Sequence, residues 1–127
     1  MSWDLPRDPA VVRGARNLVN GQLTRWGLRH LIPDTELIAS ELVTNAIRHG
    51  GGPLVLRLIK HRVLTCEVSD DGRSFPRLCH TGSTDEYGRG ILLVSQMSHR
   101  WGCRWTPGGK VVWAEQDLPG HNGKDLS

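Results

Sequence analysis

Apolar positions recur every three or four residues in two stretches of the first half of the chain. Between Asp8 and Trp26 they are Val11, Ala15, Leu18, Val19, Leu23 and Trp26, which predicts an amphipathic helix on a core, with Asp8-Pro9 as its start signal. Gly27 and Pro33 interrupt that pattern. Asp34 then caps a second helix, Asp34–His49, whose stripe is Ile38, Ala39, Leu42, Val43, Ala46 and Ile47, and Gly50-Gly51-Gly52 ends it. Beyond the glycines the period falls to two. Leu54–Lys60 and Val63–Ser69 alternate apolar and polar residues on either side of His61-Arg62, the pattern of an antiparallel hairpin. Arg73–Tyr87 has no sustained period and is rich in Pro, Gly, Ser and Thr, so it reads as a long, lid-like loop. Gly90–Met97 carries Ile91, Leu92 and Val94 into a short third helix, and Trp101–Thr106 and Lys110–Glu115 flank Pro107-Gly108-Gly109 as a second hairpin. Residues 1–117 are therefore expected to form one domain and residues 118–127 a flexible tail.

Composition narrows the function classes. A chain of 127 residues accommodates one core and is too short for two. No stretch approaches the roughly 18 apolar residues of a membrane span, and the Met1–Pro6 start lacks the basic and apolar regions of a signal peptide, so a cytoplasmic protein with no membrane partner is expected. Cys66, Cys79 and Cys103 are odd in number and form no C-x-x-C pair, which favours plain thiols over a disulfide framework or a zinc site. The histidines form no H-x-x-x-H pair, and Cys79-His80 is adjacent rather than ligand-spaced. A net charge of +3 invites nucleic acid as a partner, but the basic residues are scattered and do not interleave with aromatics, so direct nucleic-acid contact is not expected.

Three small groups carry candidate chemistry. Glu41 and Asn45 lie four residues apart on the second helix, on one flank of it, where an amide oxygen suits magnesium and a carboxylate can take a proton. The same pair is also common on solvated helix faces. Leu64, Cys66 and Val68 share one strand face, and the same period turns Asp70 towards it, where an unpaired carboxylate is costly and a polar partner should be waiting. With Gly72 behind it, Asp70 is a receptor for a polar heterocycle such as adenine; Asp-Asp-Gly also commonly caps its own turn. Gly88-Arg89-Gly90 opens a helix with free N–H groups that can receive a polyphosphate, with Arg89 as an added contact, and glycine pairs at such places also serve simply as turns.

Taken in order, Glu41-Leu-Val-Thr-Asn-Ala-Ile-Arg-His49, Val68-Ser-Asp-Asp-Gly72 and Gly88-Arg-Gly-Ile-Leu-Leu-Val94, followed by Trp101-Gly and Thr106-Pro-Gly-Gly109, resemble the GHKL or Bergerat-fold ATPases. Their histidine-kinase-like branch of anti-sigma-factor serine kinases is the nearer likeness, which covers Asp8 to Glu115. The resemblance implies a two-layer α/β sandwich, a mixed, mostly antiparallel sheet with three helices on one face, holding ATP and Mg2+ beneath a lid. It implies Glu41 as general base, Asn45 as magnesium ligand, Asp70 on the adenine amino group with Gly72 shaping that pocket, and Gly88 and Gly90 against the phosphates. Ser74 stands where the family usually has a further glycine, and Lys110-Val111 where a hydroxyl residue is common. The larger GHKL machines need transducer or phosphoacceptor domains that this length does not hold. The implied function is an anti-sigma serine/threonine kinase that binds a sigma factor and phosphorylates an antagonist of the STAS type. The alternative is a non-catalytic ATP-binding partner switch. Dimers are common in that branch, so the resemblance admits a homodimer.

Overall fold

The computed structural model describes residues 1–72 and 93–119, and these form two layers. Strand β1 (Ser2–Leu5) leads into helix α1 (Val11–Arg25), a 3-10 turn (Arg29–Leu31) and helix α2 (Ile32–His49). The hairpin β2 (Leu54–Lys60) and β3 (Val63–Asp70) follows, then a helical turn at 93–97 and the hairpin β4 (Arg100–Thr106) and β5 (Gly109–Asp117). The sheet order is β1-β2-β3-β5-β4, with every pairing antiparallel. Both hairpins fall where the two-residue period placed them.

Register explains the layering. Leu56 lies opposite Val68, Leu58 opposite Cys66, Val68 opposite Val112 and Cys66 opposite Ala114, so one sheet face is apolar across three strands. Ala15, Val19 and Leu23 of α1 and Ile38, Ala39, Leu42 and Val43 of α2 bury against that face, and Val94 of the helical turn joins them. Each fully buried Leu or Val contributes about 1.5–3 kcal/mol, so this face holds the helices in place. One polar tie crosses the layers, from the Thr35 hydroxyl to Gln116 Oε1 at 2.7 Å, both residues being buried. On the opposite face Glu67 lies between Arg57 (3.0 Å) and Arg104 (3.4 Å), and Arg100 stands 5.8 Å from the Trp113 ring centre.

Several boundaries differ from the sequence expectation for local reasons. Helix α1 starts at Val11 because Asp8 forms a turn ahead of it, its carboxylate accepting the Ala10 N–H and its carbonyl the Val11 N–H, both at 2.9 Å. Helix α2 starts at Ile32 because Pro33 fits the first helical turn, where a missing N–H costs nothing; Asp34 is a first-turn acid rather than the cap. Strand β1 was not expected: its alternation covers only Trp3 and Leu5, and it is secured by pairing with β2 and by the Met1 ammonium donating to the Leu58 carbonyl at 2.8 Å. Leu118 is buried in the core, which carries the packed domain past residue 117. Cys66 is a free buried thiol as expected, whereas Cys103 is disulfide-bonded, against the expectation of plain thiols. Among the described residues no helix is long and apolar enough to cross a membrane.

Candidate functional site

Helix α2 packs on β3, and its C-terminal end meets the end of that strand. The contact is close enough that a Cβ at Gly50 would stand 2.6 Å from Asp70 Oδ2. From there the chain wraps the carboxylate. The Gly51 N–H donates to Asp70 Oδ1 at 3.2 Å, the Gly72 N–H donates to the same oxygen at 2.7 Å, and the Gly51 carbonyl accepts the Asp71 N–H at 3.0 Å. Gly72 is required by this approach, since a Cβ there would lie 2.5 Å from the Gly51 nitrogen and 2.8 Å from the Gly50 carbonyl carbon. Asp70 thus caps its own turn and also faces inward.

The polar partner waiting for Asp70 is Lys110, its direct cross-strand neighbour on β5. Its Nζ lies 3.0 Å from Asp70 Oδ1, and the two side chains are 1% and 2% exposed. Sequence reasoning noted Lys110 only as the place of a missing hydroxyl. The signal was present: Lys110 shares the two-residue period of Val112, Ala114 and Gln116, which places it on the helix-covered face.

Glu41, Asn45 and His49 form one row along α2, each about 6 Å further along the axis, with Gly50 and Asp70 at the far end. Asn45 is buried, and its Nδ2 has no hydrogen-bond partner. Glu41 is half-buried and makes no hydrogen bond or ion pair among the described residues. The row therefore runs from the Asp70 carboxylate, past an amide with no hydrogen-bond partner, to a carboxylate with none, over about 13 Å of helix axis. The cleft lined by Pro9, Val12, Thr44, Ile47 and Arg48 lies on the other flank of α2, towards α1, and none of the row's residues lines it.

Gly88, Arg89 and Gly90, together with Ser74 and the Arg73–Tyr87 loop, lie outside the described residues. Among the described residues no group of three or more His, Cys, Asp or Glu side chains is placed to hold a metal ion. A magnesium ion does not need such a group, because it retains waters and takes most of its remaining ligands from phosphates. The Asn45 side-chain oxygen is chemically suited to that role, whereas its buried Nδ2 needs an acceptor, which a phosphate oxygen and not the metal would supply. Nothing holds the amide in one orientation, so its oxygen can be presented as readily as its nitrogen.

A family model for the histidine kinase-like ATPase domain matches residues 5–115, from the last residue of β1 to the body of β5. The chain belongs to this family. No curated protein matches it. Membership makes the chain an ATP-binding domain and agrees with the antiparallel sheet under helices described above. The matched span contains both the α2 row and the Asp70 turn.

Proposed function

We propose that this histidine kinase-like domain is an ATP-dependent protein serine/threonine kinase of the anti-sigma type, which holds a sigma factor and phosphorylates an antagonist of the STAS type. The observation that carries the reading is the α2 row, where the buried, unpartnered Asn45 amide lies one turn from the unpaired Glu41. A half-buried carboxylate one turn from that amide is free to take a proton.

Asn45 would be a protein ligand to Mg2+, which when bound would offset the charge of the phosphate oxygens. The Asp70 carboxylate receives the adenine amino group, with Gly72 setting the distance. Gly88, Arg89 and Gly90 are the phosphate contacts expected from the sequence. Glu41 accepts the proton of the antagonist's serine hydroxyl as its oxygen bonds to the γ-phosphorus; the bond to the β-phosphate oxygen breaks, and ADP departs. A sigma-factor partner sets the cytoplasm as the place of action.

One observation favours the second reading, a non-catalytic ATP-binding partner switch: the Asp70 carboxylate is already ion-paired to Lys110. Incubation with γ-labelled ATP and a serine-bearing antagonist separates the two. A kinase transfers label, and Glu41→Ala abolishes the transfer while nucleotide still binds. Binding without transfer by the unaltered protein selects the switch.

A further inference from the structure

Asp70 uses its two oxygens differently. Oδ1 takes the Gly51 N–H at 3.2 Å, the Gly72 N–H at 2.7 Å and the Lys110 ammonium at 3.0 Å. A carboxylate oxygen has two lone pairs, so three donors leave this one with nothing to offer a ligand. They come from the end of α2, the turn after β3 and strand β5, so the carboxylate cannot exchange its two oxygens without breaking all three bonds. Oδ2 takes no donor among the described residues, and it is not sealed from solvent as the unpartnered Asn45 Nδ2 is. On the α2 side of Oδ2 stands Gly50, which directly follows the row of Glu41, Asn45 and His49. A Cβ at Gly50 would lie 2.6 Å from Oδ2 and 2.6 Å from the Ala46 carbonyl oxygen. Lacking that atom, Gly50 leaves Oδ2 uncovered on the side where the row lies.

We propose that Gly50 and the three donors on Oδ1 make Asp70 a one-oxygen receptor: Oδ2, kept uncovered by the missing Cβ of Gly50 and fixed in direction by the bonds to Oδ1, is the single acceptor offered to the base, and the site therefore takes a 6-amino purine and refuses a 6-oxo one. The inference rests on the reading of Asp70 as the base receptor. Gly50 is a positioning residue here, and Lys110 stays on Oδ1 while the base binds, because the amino group goes to the other oxygen. A 6-amino group donates to Oδ2 and gains a charge-assisted hydrogen bond. A 6-oxo group sets a second acceptor against Oδ2, so neither oxygen gains a partner for the water it gives up. An asparagine in place of Asp70 inverts this. Its oxygen must take the Oδ1 position, where the Gly51 and Gly72 N–H groups need an acceptor, and its Nδ2 then stands where Oδ2 was and donates to the base.

Calorimetric titration of the full chain with the Mg2+ complexes of three triphosphates tests this: ATP, its 6-oxo counterpart inosine triphosphate, and purine riboside triphosphate, which carries only hydrogen at that position. The unaltered protein should prefer ATP about tenfold or more over purine riboside triphosphate and bind inosine triphosphate more weakly still. The double variant Asp70→Asn with Lys110→Met strands neither buried charge, and it should bind inosine triphosphate about threefold or more tightly than ATP. Gly50→Ala should bring ATP to within about threefold of purine riboside triphosphate and leave the latter little changed, whereas a glycine needed only for packing would weaken all three alike. Thermal unfolding verifies that each variant is folded, and the double variant decides if Gly50→Ala is not. A folded double variant that binds the three triphosphates alike overturns the inference while leaving Asp70 as the receptor, because the amide is then not held in one direction. A folded Gly50→Ala that keeps the full preference for ATP overturns it as well. An unaltered protein that does not distinguish ATP from purine riboside triphosphate, or a double variant that retains the whole preference for ATP, locates the fault in the reading of Asp70 itself, because the receptor would then lie elsewhere.

Discussion

Replacing Asp70 with Asn tests whether the buried ion pair is the structural element it appears as in the sheet. The amide keeps its oxygen for the Gly51 and Gly72 N–H groups, so the turn can persist, and the change falls on Lys110 alone. That ammonium is 1% exposed and loses its counter-charge. Breaking one side of a buried pair costs about 3–5 kcal/mol, chiefly from the stranded charge. A domain of this size has about 5–15 kcal/mol in total, and each kcal/mol is worth about 4 °C in Tm, so the expected fall is about 12–20 °C. Urea unfolding followed by tryptophan fluorescence should show a lower midpoint with an unchanged slope. The double variant Asp70→Asn with Lys110→Met removes both charges and should recover most of the loss, since an apolar replacement for a buried pair is often neutral. A single-variant cost below about 1 kcal/mol, or a double variant no better than Asp70→Asn, refutes the argument that a desolvated charge is at stake.

Glu41→Ala should leave Tm within a few degrees, since the carboxylate has no partner to strand, while phosphotransfer in the labelled-ATP assay disappears. Gly72→Ala should cost about 1–3 kcal/mol in urea unfolding, because the new methyl is driven into the Gly50-Gly51 backbone rather than into a side chain that can yield. Burial pushes the Cys66 thiol from 9.0 up to about 12, helped by the neighbouring Glu67 charge. Between those values the unfolded chain has given up the proton and the native state has kept it, so this stabilisation is complete below pH 9.0 and declines as pH rises towards 12, by at most about 1.4 kcal/mol per unit. Unfolding measured from pH 8 to pH 11 should show that decline, and Cys66→Ala should flatten it.

The fold was legible where one face of an element is buried over several periods. Leu54–Lys60 and Val63–Ser69 alternate long enough to fix both strands, and the α2 stripe repeats over four turns, so shifting its start from Asp34 to Ile32 left every core position unchanged. Strand β1 escaped because four residues give two inward positions, and its stability comes from the β2 edge, to which no local pattern points. Within the site, the inward turn of Asp70 followed from the same period, whereas its partner did not. Lys110 lies forty residues away, and only the pairing of β3 with β5 brings the two together. Reading Lys110 against the apolar alternation that follows it would have placed an ammonium inside the core and paired it with the one carboxylate already turned there.

Two polar contacts between the α2 segment and the sheet divide the labour along the helix. Thr35, in the first turns of the helix, is held by Gln116 near the end of β5, and Gly50 and Gly51, just past its last turn, are held against Asp70 at the end of β3. Strands β3 and β5 are neighbours in the sheet, so the helix is fixed at both ends to the same pair of strands. A helix pinned at one end by side chains and at the other by backbone cannot turn about its axis without breaking one buried and one part-buried hydrogen bond. That restraint, more than the apolar stripe, which tolerates small rotations, is what fixes the direction of the row containing Glu41 and Asn45. The Asp70 carboxylate is therefore an anchor of the helix that carries Glu41 and Asn45.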